Sequence, residues 1–269
     1  MISQFSLCSH KRVITGGGEM SLHDTGFKRL DLKAISDRLE GIARTAALAL
    51  SFLFLFAVVA FAQGEAPEQA RRQNEPGKFD FYVLALSWSP SYCAAAAERS
   101  PGRRPDQQCG GRPFAFVVHG LWPQYEQGFP ENCQVPAPRL YRGIVDANLD
   151  LMPSQRLIFN QWDKHGTCSG LSAQRYFETV RKAREAVQIP QDYTDLDRPM
   201  MVSPDDVGEA FIRANPGLSR NAMSITCSSR WLSEVRICMS KDLTFRACPE
   251  VVRRTCRRDR AFMPAVRGG

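Results

Sequence analysis

Two of the chain's four histidines, His119 and His165, stand where the sequence pattern breaks, whereas His10 and His23 lie in the N-terminal segment. His119 closes the apolar run 113–118 and precedes Gly120-Leu121-Trp122-Pro123, where a glycine and a proline are expected to stop a strand and turn the chain. His165 lies in Trp162-Asp163-Lys164-His165-Gly166-Thr167-Cys168, at the end of an expected helix. Two imidazoles suit a reaction in which one group takes a proton and another gives one. An unperturbed pKa of about 6.5 lets one ring be neutral and the other charged at mildly acidic pH, and each role is worth about 10²–10⁴ in rate. The plain alternative for each is a core histidine satisfied by hydrogen bonds.

These side chains need a frame, and the pattern predicts one domain of α+β type. The runs 79–88 (FDFYVLALSW) and 113–122 (PFAFVVHGLW) are apolar and too short for a membrane span, so both read as buried strands. Between them, 100–112 reads as a Pro, Gly and Arg loop, with Cys93 shortly before it and Cys109 near its end. Leu140, Ile144, Val145 and Leu149 predict a helix over 138–151. Ser154 is a candidate cap for a second helix that Gly166 would stop. Residues 172–188 show the clearest amphipathic period, with Tyr176, Val180 and Ala183 on one side, and another helix is expected after Ser203, with Asp205 and Asp206 in its first turn. From Ser224 to Cys248 the chain reads as strands with a tight turn at 240–242. No internal repeat occurs.

The uncharged run Thr45–Ala62, preceded by Arg38 and Arg44 and ending in Ala60-Phe61-Ala62, is expected to be a secretion signal cut after Ala62. A membrane anchor is the rival, since about 18 apolar residues just span a bilayer. Met20 is a second candidate initiator. The expected layout is a leader over 1–62, a flexible lead-in over 63–78 and a domain over 79–269 with a basic tail. Localisation is expected to be secreted or periplasmic, with no stable membrane association once the leader is removed. Of nine cysteines only Cys8 lies in the leader, leaving eight, an even number that in an exported chain suggests four disulfides. No C-x-x-C pair occurs, so structural zinc is not expected, nor any other metal or cofactor. The leader holds seven of the 35 basic and five of the 28 acidic residues, so the remainder carries a net charge of about +5, which favours polyanionic partners. The arginines from Arg253 to Arg267 read as a solvated surface or a loose electrostatic tether.

HGLWP together with WDKHGTC resembles the two active-site segments of the ribonuclease T2 family, the secreted acid ribonucleases. The opening FDFYVLALSWSPSYC and the closing EVRICMSKDL and FRAC segments are similar to family segments too, so the likeness spans roughly 79 to 250. It implies an antiparallel sheet packed against several helices. It also implies cleavage of single-stranded RNA, with His165 as base on the 2′-OH and His119 as acid on the departing 5′-oxygen. A 2′,3′-cyclic phosphate would form and later open to a 3′-phosphate, and DNA, lacking the 2′-OH, would not react. Lys164 would stabilise the charge gathered on the non-bridging oxygens, and Trp122 would stack a base. Simple core packing is the alternative for Trp122, as an ordinary exposed lysine is for Lys164. Trp162 is assigned to the core. Tyr125 fits either a base site or a loop end. The resemblance further implies the pairs Cys133 with Cys168, Cys227 with Cys256 and Cys238 with Cys248, leaving Cys93 with Cys109.

The chain departs from the family's His-Glu-Trp before Lys-His by having Asn160-Gln161-Trp162. On a helix Gln161 shares a face with His165, and Asn160 with Lys164. Position is kept while charge is lost, and an amide can still donate a hydrogen bond to phosphate, so altered rather than abolished catalysis is expected. Asn160 is therefore a candidate phosphate contact and Gln161 a candidate catalytic neighbour. Two rivals remain: an exported RNA-binding relative with weak or lost turnover, and a disulfide-stabilised adhesion or inhibitor domain. The second leaves both histidine motifs unexplained.

Overall fold

A computed structural model describes residues 74–102, 104–110 and 112–266. The expected leader and most of the lead-in fall outside them. The part of the lead-in that is described is not loose: Gly77 N–H donates to Cys168 O at 2.9 Å, and Glu131 N–H to the Asn74 side chain at 3.2 Å.

The two apolar runs form strands β1 (Phe81–Trp88) and β2 (Phe116–Gln124), paired antiparallel. The second passes through both expected stop residues, because Gly120 pairs with Ala85 and Pro123 with Tyr82 inside the ladder. On its other side β1 pairs antiparallel with β5 (Trp231–Met239), which pairs antiparallel with β4 (Met223–Ser228). The hairpin joining β4 to β5 turns at Ser229, whose φ is 52°, earlier than the expected turn. A turn at 240–242 also exists and leads the chain back beside Met239, with Ser240 N–H donating to Thr244 O at 2.8 Å. Strands β3 (Met200–Val202) and β6 (Ala261–Met263) pair with each other, and β6 meets β5 in parallel at Trp231, completing a six-stranded, mainly antiparallel sheet. Both were missed in the sequence because three residues cannot display an alternation. The basic segment read as a loose tail thus contributes a strand, and Pro264 O accepts the Trp88 indole N–H.

Helix α1 (Ser89–Arg99) lay in a stretch without apolar period. It forms because Pro90 sits in the first turn and Ala94–Ala97 have high helix propensity. The helix expected over 138–151 shrinks to α2 (Arg142–Asp146), where the Asn148 side chain donates to Ile144 O and diverts the backbone into turns. Helix α3 (Gln155–Lys164) begins at its expected cap, Ser154, and helices α4 (Ala173–Glu185) and α5 (Pro204–Ala214) begin where helices were expected, with Ser172 and Ser203 also accepting a backbone N–H as caps. A short α6 (Pro249–Val252) follows β5.

One sheet face packs Tyr82, Leu84, Leu86 and Trp88 against Ile158 and Trp162 of α3, Tyr176, Phe177 and Val180 of α4, and Phe211 of α5. Trp162 is buried as expected and donates to Pro138 O at 2.7 Å. The opposite face carries a small apolar patch of Phe81, Val83, Cys238, Cys248 and Val251. Four disulfides join Cys93–Cys109, Cys133–Cys168, Cys227–Cys256 and Cys238–Cys248.

Candidate active site

In a regular strand His119 and Trp122, three residues apart, point to opposite faces. A β-bulge removes that conflict. Ala85 pairs with Gly120 and Leu86 with Val118, so His119 is the extra residue in β2. Val118 and Leu121 therefore both enter the main core, while Trp122 lies against the patch on the other face. Tyr176 fixes this segment from below, donating its hydroxyl to Leu121 O at 2.8 Å.

His119 Nδ1 lies 2.5 Å from Glu234 Oε1. Glu234 is buried, and burial pushes its carboxyl up, but the hydrogen bond and charge of His119 and the guanidinium of Arg236 outweigh it and hold it at about 2. Arg236 Nε donates to Glu234 Oε2 at 2.8 Å, and its guanidinium sits 5.1 Å above the Trp122 ring. With Nδ1 committed to an anionic carboxylate, Nε2 of His119 is the nitrogen left for a substrate.

His165 arrives from the other direction, at the C-terminal end of α3, where its N–H donates to Gln161 O at 3.0 Å. Its neighbours hold it firmly: Lys164 O accepts from Asn132 N–H at 2.8 Å, and Cys168, three residues on, is bridged to Cys133. Gly166 is required, since a Cβ there would run into the Trp162 and Tyr176 rings. The His165 ring is buried and its Nδ1 has no hydrogen-bond partner among the described residues. Burial, then the charges of Lys164 and His119, lower its pKa to about 3.

Trp122 stands between the two histidines, its ring 5.3 Å from that of His119 and 5.4 Å from that of His165. Its indole N–H donates to Gln161 Oε1 at 2.7 Å, and the bond passes over Gly120, where any Cβ would collide with both partners. One cavity of about 300 Å³ is lined by His119, Trp122, Gln161, Lys164 and His165, together with Phe129, Arg236, Glu250 and Arg254. Five of the six residues singled out in the sequence thus meet. Lys164 is half-exposed and ion-paired to Glu131 at 3.1 Å, an exposed pair that contributes little to stability and can yield to a stronger anion. The sixth, Asn160, is one residue off that face. It lines a second cavity of about 260 Å³, with His119 and Glu234 but without His165 or Lys164.

Sequence reasoning missed Glu234, Arg236, Phe129 and Arg254. The first two carried a readable signal, since i and i+2 in an alternating strand share a face, and an acid–base pair there asks for a partner. Phe129, 39% exposed with its ring 6.4 Å from that of His165, lies in a loop without pattern. Tyr125 is half-buried against the main core beside the loop, its N–H donating to Gly128 O.

The profile of the Ribonuclease T2 family matches residues 79–248. A protein of Haemophilus influenzae described as a probable ribonuclease is 34% identical over 181 residues, 63% of this chain and 64% of its own length, so the match stops short of two thirds of that relative. A ribonuclease of Aeromonas hydrophila is 35% identical over 178 residues, 64% of this chain and 77% of its own. Among solved structures, RNase NT in complex with 5′-AMP superposes with a TM-score of 0.51 at 25% identity, covering 64% of this chain and 91% of that one. The matched span holds both histidines, Lys164, and the strands and helix that bring them to one cavity, and the chain belongs to the Ribonuclease T2 family.

Proposed function

We propose that the chain is an exported endoribonuclease that cleaves single-stranded RNA by transesterification, with His165 as general base and His119 as general acid. The observation that carries this is the unequal treatment of two imidazoles across one cavity. His165 is kept neutral by burial and by neighbouring cations, and a neutral ring can accept a proton. His119 is backed by a carboxylate that stays anionic, which suits a ring that holds a proton and gives it up through Nε2. Two different surroundings, a buried ring beside cations and a ring held by a carboxylate, thus divide the base and acid roles between one residue type.

The 2′-OH loses its proton to His165 as its oxygen bonds to phosphorus. The bond from phosphorus to the 5′-oxygen breaks, and that oxygen takes the proton of His119. A 2′,3′-cyclic phosphate remains, and water opens it to a 3′-phosphate with the roles reversed. Lys164 and Arg236 supply positive charge where the non-bridging oxygens gather negative charge. The nucleotide bearing the 2′-OH belongs on the His165 side, where Phe129 offers a ring face. His119 borders both cavities, so the leaving nucleotide, on the 3′ side, passes it towards the second one. The 5′-AMP in RNase NT is consistent with a site of nucleotide size. Export to the periplasm or the exterior is supported by the apolar run before Ala62 and by the four bridges, which persist in oxidising compartments.

The test is the ends left on a short RNA by purified protein in EDTA. A cyclic phosphate maturing to a 3′-phosphate, with an all-deoxy strand uncut, is expected. Ends carrying 5′-phosphate, or no cleavage, would overturn the proposal.

A further inference from the structure

Beyond the second cavity the surface opens into a wider one of about 670 Å³, and the two share Tyr92, Arg99, Asp106, Gln108 and Arg156. The wider groove adds Arg104 and Arg112, so four arginines face one acid, Asp106. All four are exposed, and none makes an ion pair with a described residue. The acid is engaged elsewhere: its Oδ1 accepts from Gln108 N–H at 3.1 Å, capping the turn 107–109. Unpaired guanidiniums along a groove are suited to phosphate, which they hold in bidentate fashion.

The loop that forms this groove is anchored at several points. Cys93–Cys109 closes it, the Gln108 amide donates to Ser89 Oγ at 2.9 Å, and Gln155 N–H donates to the Gln107 side chain at 3.3 Å. Arg104 is thereby tethered to α1 and to the start of α3, the helix that carries His165. Tyr92, 39% exposed at the junction of the two cavities, presents a ring on which a base can stack.

We infer that this arginine groove binds the RNA strand on the 3′ side of the scissile bond, holding the phosphates downstream of the leaving nucleotide. The direction follows from the acid. His119 protonates the 5′-oxygen of the departing piece, and only the His119 side of the active site continues into the second cavity and the groove. The inference rests on the ribonuclease reading and adds to it a polarity and a preference for 3′-extended substrates.

Chimeric strands with one ribonucleotide in otherwise deoxy chains fix the cut to one bond. kcat/KM is measured at low salt for a dinucleotide and for versions carrying three extra nucleotides on the 3′ or the 5′ side. The expected result is a gain of about tenfold or more from the 3′ extension alone. Replacing Arg104→Ala with Arg112→Ala should remove that gain, lower the salt slope by about 2, and leave dinucleotide cleavage unchanged. Equal gains from both extensions, or a gain that survives the double replacement, overturn the groove while the ribonuclease reading stands. If the dinucleotide is not cut at all, that reading fails separately. Anisotropy of a fluorescein-labelled oligodeoxynucleotide then decides the groove: about tenfold weaker binding to the double variant supports it, and unchanged binding overturns it.

Discussion

The two histidines face one cavity from opposite kinds of support. His119 sits on a bulge in an edge strand, its Nδ1 against a buried carboxylate that is itself gripped by Arg236. His165 sits at the C-terminal end of a helix, buried, with no hydrogen-bond partner at Nδ1 among the described residues and cations for neighbours. A single residue type is thus given two characters by what surrounds it, and proton transfer needs both. The sharpest way to break the contrast is to remove either ring. His119→Ala and His165→Ala should each lower cleavage by at least about 10²-fold with circular dichroism unchanged. Near wild-type turnover in a folded variant would remove the two-histidine mechanism.

Glu234→Gln keeps the size of the carboxylate and erases its charge. The His119 ring then loses its anionic partner, and kcat should fall by about 10–10²-fold through misplacement of the ring. The same variant separates the two sites by stability. Glu234 titrates at about 2 in the fold against an ordinary 4.5, so it adds stability that is complete above pH 4.5 and lost as pH falls towards 2. His165 titrates at about 3 against an ordinary 6.5, so the unfolded chain takes up its proton first and stability already declines as pH drops below 6.5. In Glu234→Gln the decline that His165 causes between 6.5 and 3 should persist, while the added loss that Glu234 causes between 4.5 and 2 should disappear, so the curve becomes shallower below 4.5. Melting temperatures across that range are the check, and an unaltered curve below pH 4.5 would disconnect Glu234 from the fold's acid response.

The helix-end site depends on its bridge as the strand site depends on Glu234. Cys133–Cys168 closes a loop of 35 residues and ends three residues after His165. Replacing both cysteines by serine should cost about 3–4 kcal/mol of stability. Activity should also fall earlier on warming than the global unfolding signal, because the segment after His165 loosens first.

How much of this was legible in the sequence differs between the two sites. The helix of His165 was readable, because Ser154 caps it, Gly166 stops it and Trp162 anchors it. The strand of His119 was readable as a strand but not as a bulged one. A bulge is set by which residues the partner strand places opposite, and the local run Val117-Val118-His119-Gly120-Leu121 does not declare it. Gly120 was therefore read as a stop, although its role is to leave room for the bond between Trp122 and Gln161. Glu234 and Arg236 escaped for a related reason: they are 115 and more residues from His119, and only the pairing of β5 with β1 brings them beside it. The bridges were countable, but their connectivity came from the family likeness and not from spacing.

The smallest predicted effect is also the most local. Gln161 lines the His165 cavity and accepts from Trp122, so Gln161→Glu can retain that hydrogen bond while adding an anion. An anion near His165 opposes the influence of Lys164 and His119, favours the imidazolium and raises a pKa that now lies at about 3. A general base works only when deprotonated, so the acid limb of kcat/KM, which reports the free enzyme, should move to higher pH in the variant. The wild-type limb should correspondingly lie at low pH. A bound phosphodiester acts in the same sense as the added carboxylate, so the acid limb of kcat should lie above that of kcat/KM in the wild type. Because the carboxylate already supplies negative charge, the separation between the two limbs should narrow in Gln161→Glu. Full pH profiles of both constants for both proteins test this. A limb that stays in place would mean that the Gln161 amide, though it shares the cavity, is turned so fully towards Trp122 that a charge there does not reach the base.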